Sequence, residues 1–94
     1  MYYVYILQSE KDHLFYIGFT TNLDLRILRH ENGESPATKF RRPLKLIFYE
    51  AYLNKYDALR RERYFKTSKG KTTLKMMLKG YLSGKEIEVN PTSS

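Results

Sequence analysis

Ninety-four residues with 41% hydrophobic side chains and no cysteine make one small domain held by aliphatic and aromatic packing, and exclude disulfide staples and thiolate metal sites. No apolar run approaches the ~20 residues that a bilayer span requires, and Met1-Tyr2-Tyr3 opens a strand without a basic signal region, so a cytoplasmic protein with no membrane partner is expected. The net charge of +7 is uneven: residues 1–54 carry seven Lys/Arg against six Asp/Glu, residues 55–85 ten against two, a field that concentrates polyanions such as nucleic acid or solvates one face of a helix.

Tyr2 to Leu7 and Leu14 to Phe19 are rich in the aromatic and β-branched residues that suit a pleated surface, and the short charged stretch Ser9 to His13 between them predicts an antiparallel hairpin. His13 falls in that turn and is assigned no role. Along the first strand Tyr3, Tyr5 and Leu7 share one face and Val4 and Ile6 the other. Both faces are apolar, which predicts a sheet covered by helices on both sides.

Thr21-Asn22-Leu23-Asp24 supplies a cap followed by a carboxylate, and Asn32-Gly33 supplies a stop, so a helix is predicted over 22–32. Arg26 and His30 lie one turn apart on it, next to Leu23 and Ile27, and border its buried face, whereas Leu25 and Leu28 point elsewhere. Residues 33–43 read as a loop that carries Lys39, Arg41, Arg42 and the aromatic Phe40. Leu44 to Tyr52 is the third strand.

Asn54 with Asp57 three residues on opens a second helix, to about Thr67. Arg60, Arg61 and Arg63 spread over one side of it, while Glu62 falls near Ala58, Leu59 and Phe65, on the apolar side. A carboxylate desolvated there requires a buried partner or a bound cation. Lys69-Gly70-Lys71 interrupts the pattern, after which Leu74, Met77, Leu78 and Tyr81 recur at helical spacing and predict a third helix whose apolar stripe is core. The expected architecture is α/β of the α+β kind: a small three-stranded antiparallel sheet flanked by about three helices. It occupies residues 1–82, and 83–94 form a polar, disordered tail with a short Glu86–Val89 segment.

Tyr3-Val4-Tyr5, the intact Tyr16-Ile17-Gly18, Thr21-Asn22-Leu23 leading to Arg26 and His30, and the Ala58-Leu59-Arg60-Arg61-Glu62 helix occur in an order that resembles the GIY-YIG endonuclease superfamily. The resemblance covers about residues 2–80 and is to its small free-standing bacterial members, which are similar to the nuclease domain of the excision-repair incision subunit. Two positions depart from the pattern. Tyr3 stands where the family signature has glycine, and no asparagine occurs between Asn54 and Asn90, where many relatives use one downstream of the glutamate.

The resemblance implies a divalent-metal-dependent endonuclease that hydrolyses phosphodiester bonds in DNA, in repair or in processing of branched or single-stranded intermediates. Its catalytic residues would be Tyr5, Tyr16, Arg26, His30 and Glu62. Glu62 would hold one Mg²⁺ or Mn²⁺, since a lone carboxylate is ordinary protein ligation for Mg²⁺ at a phosphate. Arg26 would neutralise the phosphoryl oxygens, Tyr5 would accept or relay the proton of the attacking water, and Tyr16 and His30 would orient water or phosphate. A free phenol has a pKa of about 10, so a standing phenolate at pH 7 costs roughly 4 kcal/mol, and His30 is the alternative base. Other roles stand beside these: Glu62 in a salt bridge with Arg26, His30 against a helix dipole. Lys39, Arg41, Arg42, Arg60, Arg61, Arg63, Lys66, Lys69 and Lys71 are the candidate nucleic-acid contacts, to DNA in preference to RNA. A non-catalytic nucleic-acid-binding module of the same fold is the alternative function, and a basic protein-interaction domain a third. A protein partner for targeting, and a monomer or weak homodimer, complete the expectations.

Overall fold

β1 (Tyr2–Ser9) is apolar on both faces, and the computed structural model, which describes residues 1–84, accordingly makes it the middle strand of the sheet. β2 (Phe15–Thr20) and β3 (Leu44–Tyr52) flank it, both antiparallel, in the order β2-β1-β3. Cross-strand partners share a face, so the register sorts the two sides. Val4 opposes Phe19 and Glu50, and Ile6 opposes Ile17 and Phe48, on one side; Tyr5 opposes Gly18 and Tyr49 on the other. A bulge between Ile6 and Leu7 shifts the pairing with β3.

Helices cover both sides, as the two apolar faces of β1 predict. α1 (Leu23–Glu31) lies over the Tyr5 side; α2 (Lys55–Phe65) and α3 (Ser68–Met77) close the other, where Val4, Ile6, Ile17, Ala58, Phe65 and Leu74 form the buried core. The caps form where the sequence places them, with one refinement. Asn22 itself caps α1, accepting from the Leu25 N–H, and Asn54 caps α2, accepting from the Tyr56 and Asp57 N–H groups. Gly33 takes a positive φ of 75°, and the bonds Gly33 N–H to His30 O and Glu34 N–H to Arg29 O close α1 in a Schellman turn.

The third helix differs from expectation in two ways. Lys69-Gly70-Lys71 lies inside the first turns of α3, because Gly70 serves a close approach: a Cβ there would collide with the Tyr64 carbonyl at the end of α2. The apolar stripe is also interrupted at Leu78, and a short α4 (Lys79–Leu82) follows. Leu74 and Leu78 pack into or against the core, whereas Met77 and Tyr81 are 44% and 41% exposed, Tyr81 donating to Gln8 Oε1 at 2.7 Å. The Glu86–Val89 segment, and all of the tail beyond Gly84, lie outside the described residues. Among the described residues no helix is long and apolar enough to cross a membrane.

Candidate active site

β1 and β2 set the first two residues of the site. Tyr5 and Tyr16 are diagonal neighbours on one face of the hairpin, their ring centroids 6.2 Å apart. Gly18 directly opposes Tyr5, and a Cβ at position 18 would overlap the hydroxyl end of the phenol. The glycine of the Tyr-Ile-Gly signature therefore creates the berth in which Tyr5 lies.

α1 supplies the third ring. His30 is 1% exposed, with its centroid 5.7 Å from Tyr5 and 5.1 Å from Tyr16 in edge-on arrangements. Its Nε2 lies 2.9 Å from the Tyr5 hydroxyl and its Nδ1 2.7 Å from Thr38 Oγ1. Thr38 is itself fully buried, so a continuous hydrogen-bonded chain, Tyr5–His30–Thr38, runs through the interior on this side of the sheet. His30 is thus a buried side chain in the last turn of α1.

The electrostatics fix the charge states. Burial, followed by the neighbouring Tyr16, raises the Tyr5 pKa far above that of a free phenol; Arg26 opposes the shift and Glu62 adds to it, so both charges act on the Tyr5 oxygen. Tyr5 thus keeps its proton. Burial, and then the Arg26 charge, lower the pKa of His30, which is neutral at pH 7. The neutral imidazole can join this chain in either tautomer: with Tyr5 O–H donating to Nε2 and Nδ1–H to Thr38 Oγ1, or with Thr38 O–H donating to Nδ1 and Nε2–H to the Tyr5 oxygen.

Arg26 on α1 and Glu62 on α2 are both partly exposed. The Glu62–Arg26 salt bridge does not form; Glu62 Oε2 accepts instead from Lys66 Nζ at 3.3 Å, one turn along α2. Among the described residues no cluster of three or more His, Cys, Asp or Glu side chains is placed to hold a metal ion. A lone carboxylate does not suit Zn²⁺, which requires three or four protein ligands, but it suits Mg²⁺, which retains waters and takes other ligands from a phosphate.

The basic residues separate into engaged and free groups. Arg61, expected on the basic side of α2, is turned to the sheet: its guanidinium donates to both oxygens of Glu50 at 2.8 and 3.2 Å and stacks 4.2 Å from the Phe65 ring centroid. Tyr52 donates to the same carboxylate at 2.7 Å and is pushed up to about 12, by burial first and then by that bond. Arg61 is a structural clamp and not a free phosphate ligand. Arg41 is bonded to Asp12, whose carboxyl is lowered to about 2 by Arg41 and then by the Leu14 N–H. Arg60 pairs with Asp57 in a highly exposed contact. Arg63, Lys69 and Lys71 are exposed and form no ion pair among the described residues.

Of the five residues singled out in the sequence, the structure brings Tyr5, Tyr16 and His30 into contact, while Arg26 makes no ion pair among the described residues and Glu62 meets Lys66; Thr38 and the steric role of Gly18 were missed. A threonine in a loop eight positions beyond His30 carries no local signal; only the return of that loop across α1 gives it a partner.

A family model described as the GIY-YIG catalytic domain matches residues 1–75. The chain is 42% identical over 77 residues to a UPF0213 protein of Staphylococcus haemolyticus, a match covering 81% of this chain and 93% of that protein. It is 46% identical over 67 residues to a UPF0213 protein of Clostridium perfringens, covering 70% and 71%. Among solved structures, the solution structure of a UPF0213 protein from Bacillus halodurans is similar with a TM-score of 0.54 and 34% identity, covering 94% of this chain and 98% of that one.

Proposed function

Because the chain belongs to the GIY-YIG catalytic-domain family, a nuclease family, we propose that it is a divalent-metal-dependent endonuclease that hydrolyses phosphodiester bonds in DNA, acting in repair or on branched or single-stranded intermediates. The observation that carries this reading is the buried Tyr5–His30 bond at 2.9 Å, with the Tyr16 ring packed against both.

The raised Tyr5 pKa disfavours a standing phenolate, and the lowered His30 pKa keeps the imidazole neutral, with a free lone pair, at the cost of basicity. The attacking water gives a proton to the Tyr5 oxygen as Tyr5 passes its own to the lone pair of His30 Nε2, so no separate phenolate is formed. Water oxygen bonds to phosphorus, the P–O bond to the leaving oxygen breaks, and solvent protonates that oxygen. The imidazolium produced keeps its Nδ1–H on Thr38. Arg26 binds the phosphoryl oxygens, and the phosphate charge in turn offsets the cation that otherwise resists protonation of His30. Tyr16, packed on both other rings, limits their movement. Glu62 would hold Mg²⁺ or Mn²⁺, which stabilises charge on the phosphoryl and leaving oxygens.

The test is cleavage of labelled single-stranded, duplex, flap and branched DNA, and of RNA, by the wild type and by Glu62→Gln in Mg²⁺, Mn²⁺ or EDTA. Metal-dependent cleavage by the wild type alone supports the nuclease. Salt-sensitive binding with no cleavage on any substrate favours the non-catalytic module, for which the missing downstream asparagine speaks.

A further inference from the structure

The segment Lys39–Arg41 forms a short 3-10 turn on which Phe40 stands 77% exposed. The turn is pinned on several sides. Ser9 Oγ donates to the Arg41 carbonyl at 2.6 Å, Lys11 Nζ to the Phe40 carbonyl at 3.2 Å, the Glu10 N–H to the Pro43 carbonyl at 2.8 Å, and Arg42 to the carbonyls of Lys39 and Glu31. Its first anchor is Thr38, held by His30. An aromatic ring displayed to solvent on a backbone this well fixed loses little further entropy when a flat ligand stacks on it.

Beside the ring lies an open cavity of about 670 Å³. Lys11, Lys39 and Arg42 line it against a single carboxylate, Glu31, with Pro43 and Leu44 as its apolar wall. None of those three cations pairs with a carboxylate among the described residues. Lys39 Nζ lies over one face of the Phe40 ring, 5.3 Å from its centroid, so a base would stack on the opposite face with a cation behind the ring. Exposed aromatic ring, flanking cations that meet no carboxylate, and apolar wall are the chemistry that takes a nucleobase together with its phosphates.

Resting on the nuclease reading above, we propose that Phe40 is a stacking platform for one unpaired base of the bound DNA strand, with Lys11, Lys39 and Arg42 holding the adjoining phosphates. A base inside a duplex has both faces covered by its neighbours and offers none to Phe40; an unstacked base offers one. Phe40 follows Thr38 by two residues, so their Cα atoms are at most ~7 Å apart, and the platform adjoins the Thr38 end of the Tyr5–His30–Thr38 chain. The subsite selects an unpaired nucleotide of the bound strand.

Binding is measured by fluorescence anisotropy in EDTA, with the full chain and two labelled probes: a 12-residue oligothymidylate and a strand of the same length made wholly of abasic residues. Phe40→Ala is expected to weaken oligothymidylate binding about 5- to 100-fold, Phe40→Tyr to restore it, and neither to change binding of the abasic strand. Equal binding of oligothymidylate by Phe40→Ala and wild type overturns the platform. So does an equal loss on both probes, which would make Phe40 a support of the loop. Cleavage plays no part in this readout, so the platform fails without the nuclease failing, and the reverse.

Discussion

Tyr5 on β1 lies across Gly18 on β2, its direct cross-strand partner, and the phenol fills the volume where any side chain at position 18 would stand. Replacing Gly18 by alanine forces the ring out of its place and away from His30. Overpacking of this kind costs typically 1–3 kcal/mol, which lowers the melting temperature by roughly 4–8 °C per kcal/mol in a domain this size. Thermal unfolding of Gly18→Ala, Tyr5→Ala and the double variant checks it: the cost of the alanine shrinks when the ring is gone. Cleavage by Gly18→Ala falls with Tyr5 displaced.

Thr38 holds the far nitrogen of His30 in a fully buried position. Thr38→Val keeps the shape but leaves Nδ1 without its buried partner, at a cost of about 1–3 kcal/mol. The proposed relay requires the Nδ1–H tautomer, so kcat falls while KM changes little, and the pH–rate profile shifts. Thr38→Ser restores both. A purely structural threonine would show the stability loss without the altered profile.

His30 is held below its ordinary pKa of 6.5 by burial first and by the Arg26 charge second. Removing that charge in Arg26→Gln raises the His30 pKa, which NMR titration of the imidazole protons reads directly. The sign for stability follows from proton linkage. The unfolded chain protonates His30 at about 6.5 and the folded chain only at lower pH, so unfolding is favoured progressively as pH falls below about 6.5 and is insensitive to this group above it. In His30→Gln the dependence in that window flattens.

The Arg61–Glu50 pair has both side chains partly buried and three hydrogen bonds on one carboxylate. Because it is partly exposed, Glu50→Gln is expected to cost about 1–2 kcal/mol in urea unfolding. DNA affinity separates the two kinds of arginine. Arg63→Met reduces the slope of log affinity against log salt by about one, whereas Arg61→Met leaves the slope unchanged and lowers stability instead.

The strands, the helix starts near residues 22 and 54, the Gly33 stop and the family resemblance are legible in the sequence, because each is written in neighbouring residues. Alternation, caps and a left-handed glycine act over one to four positions. The reading of Glu62 as a lone acid on the apolar side of its helix was also local. Gly70 misled for the same reason: a glycine between lysines looks like a break, and only the packing of α3 on α2 shows it as a contact.

Tertiary structure alone decided which charges are free and which groups share a proton. Arg61 and Arg63 are two residues apart and equal in sequence, yet one meets Glu50 on the sheet and the other faces water. Tyr5, His30 and Thr38 come from a strand, a helix and a loop, separated by 25 and 8 residues. Their hydrogen bonds and pKa shifts arise from burial against one another, and burial is a property of the folded assembly that no single segment carries.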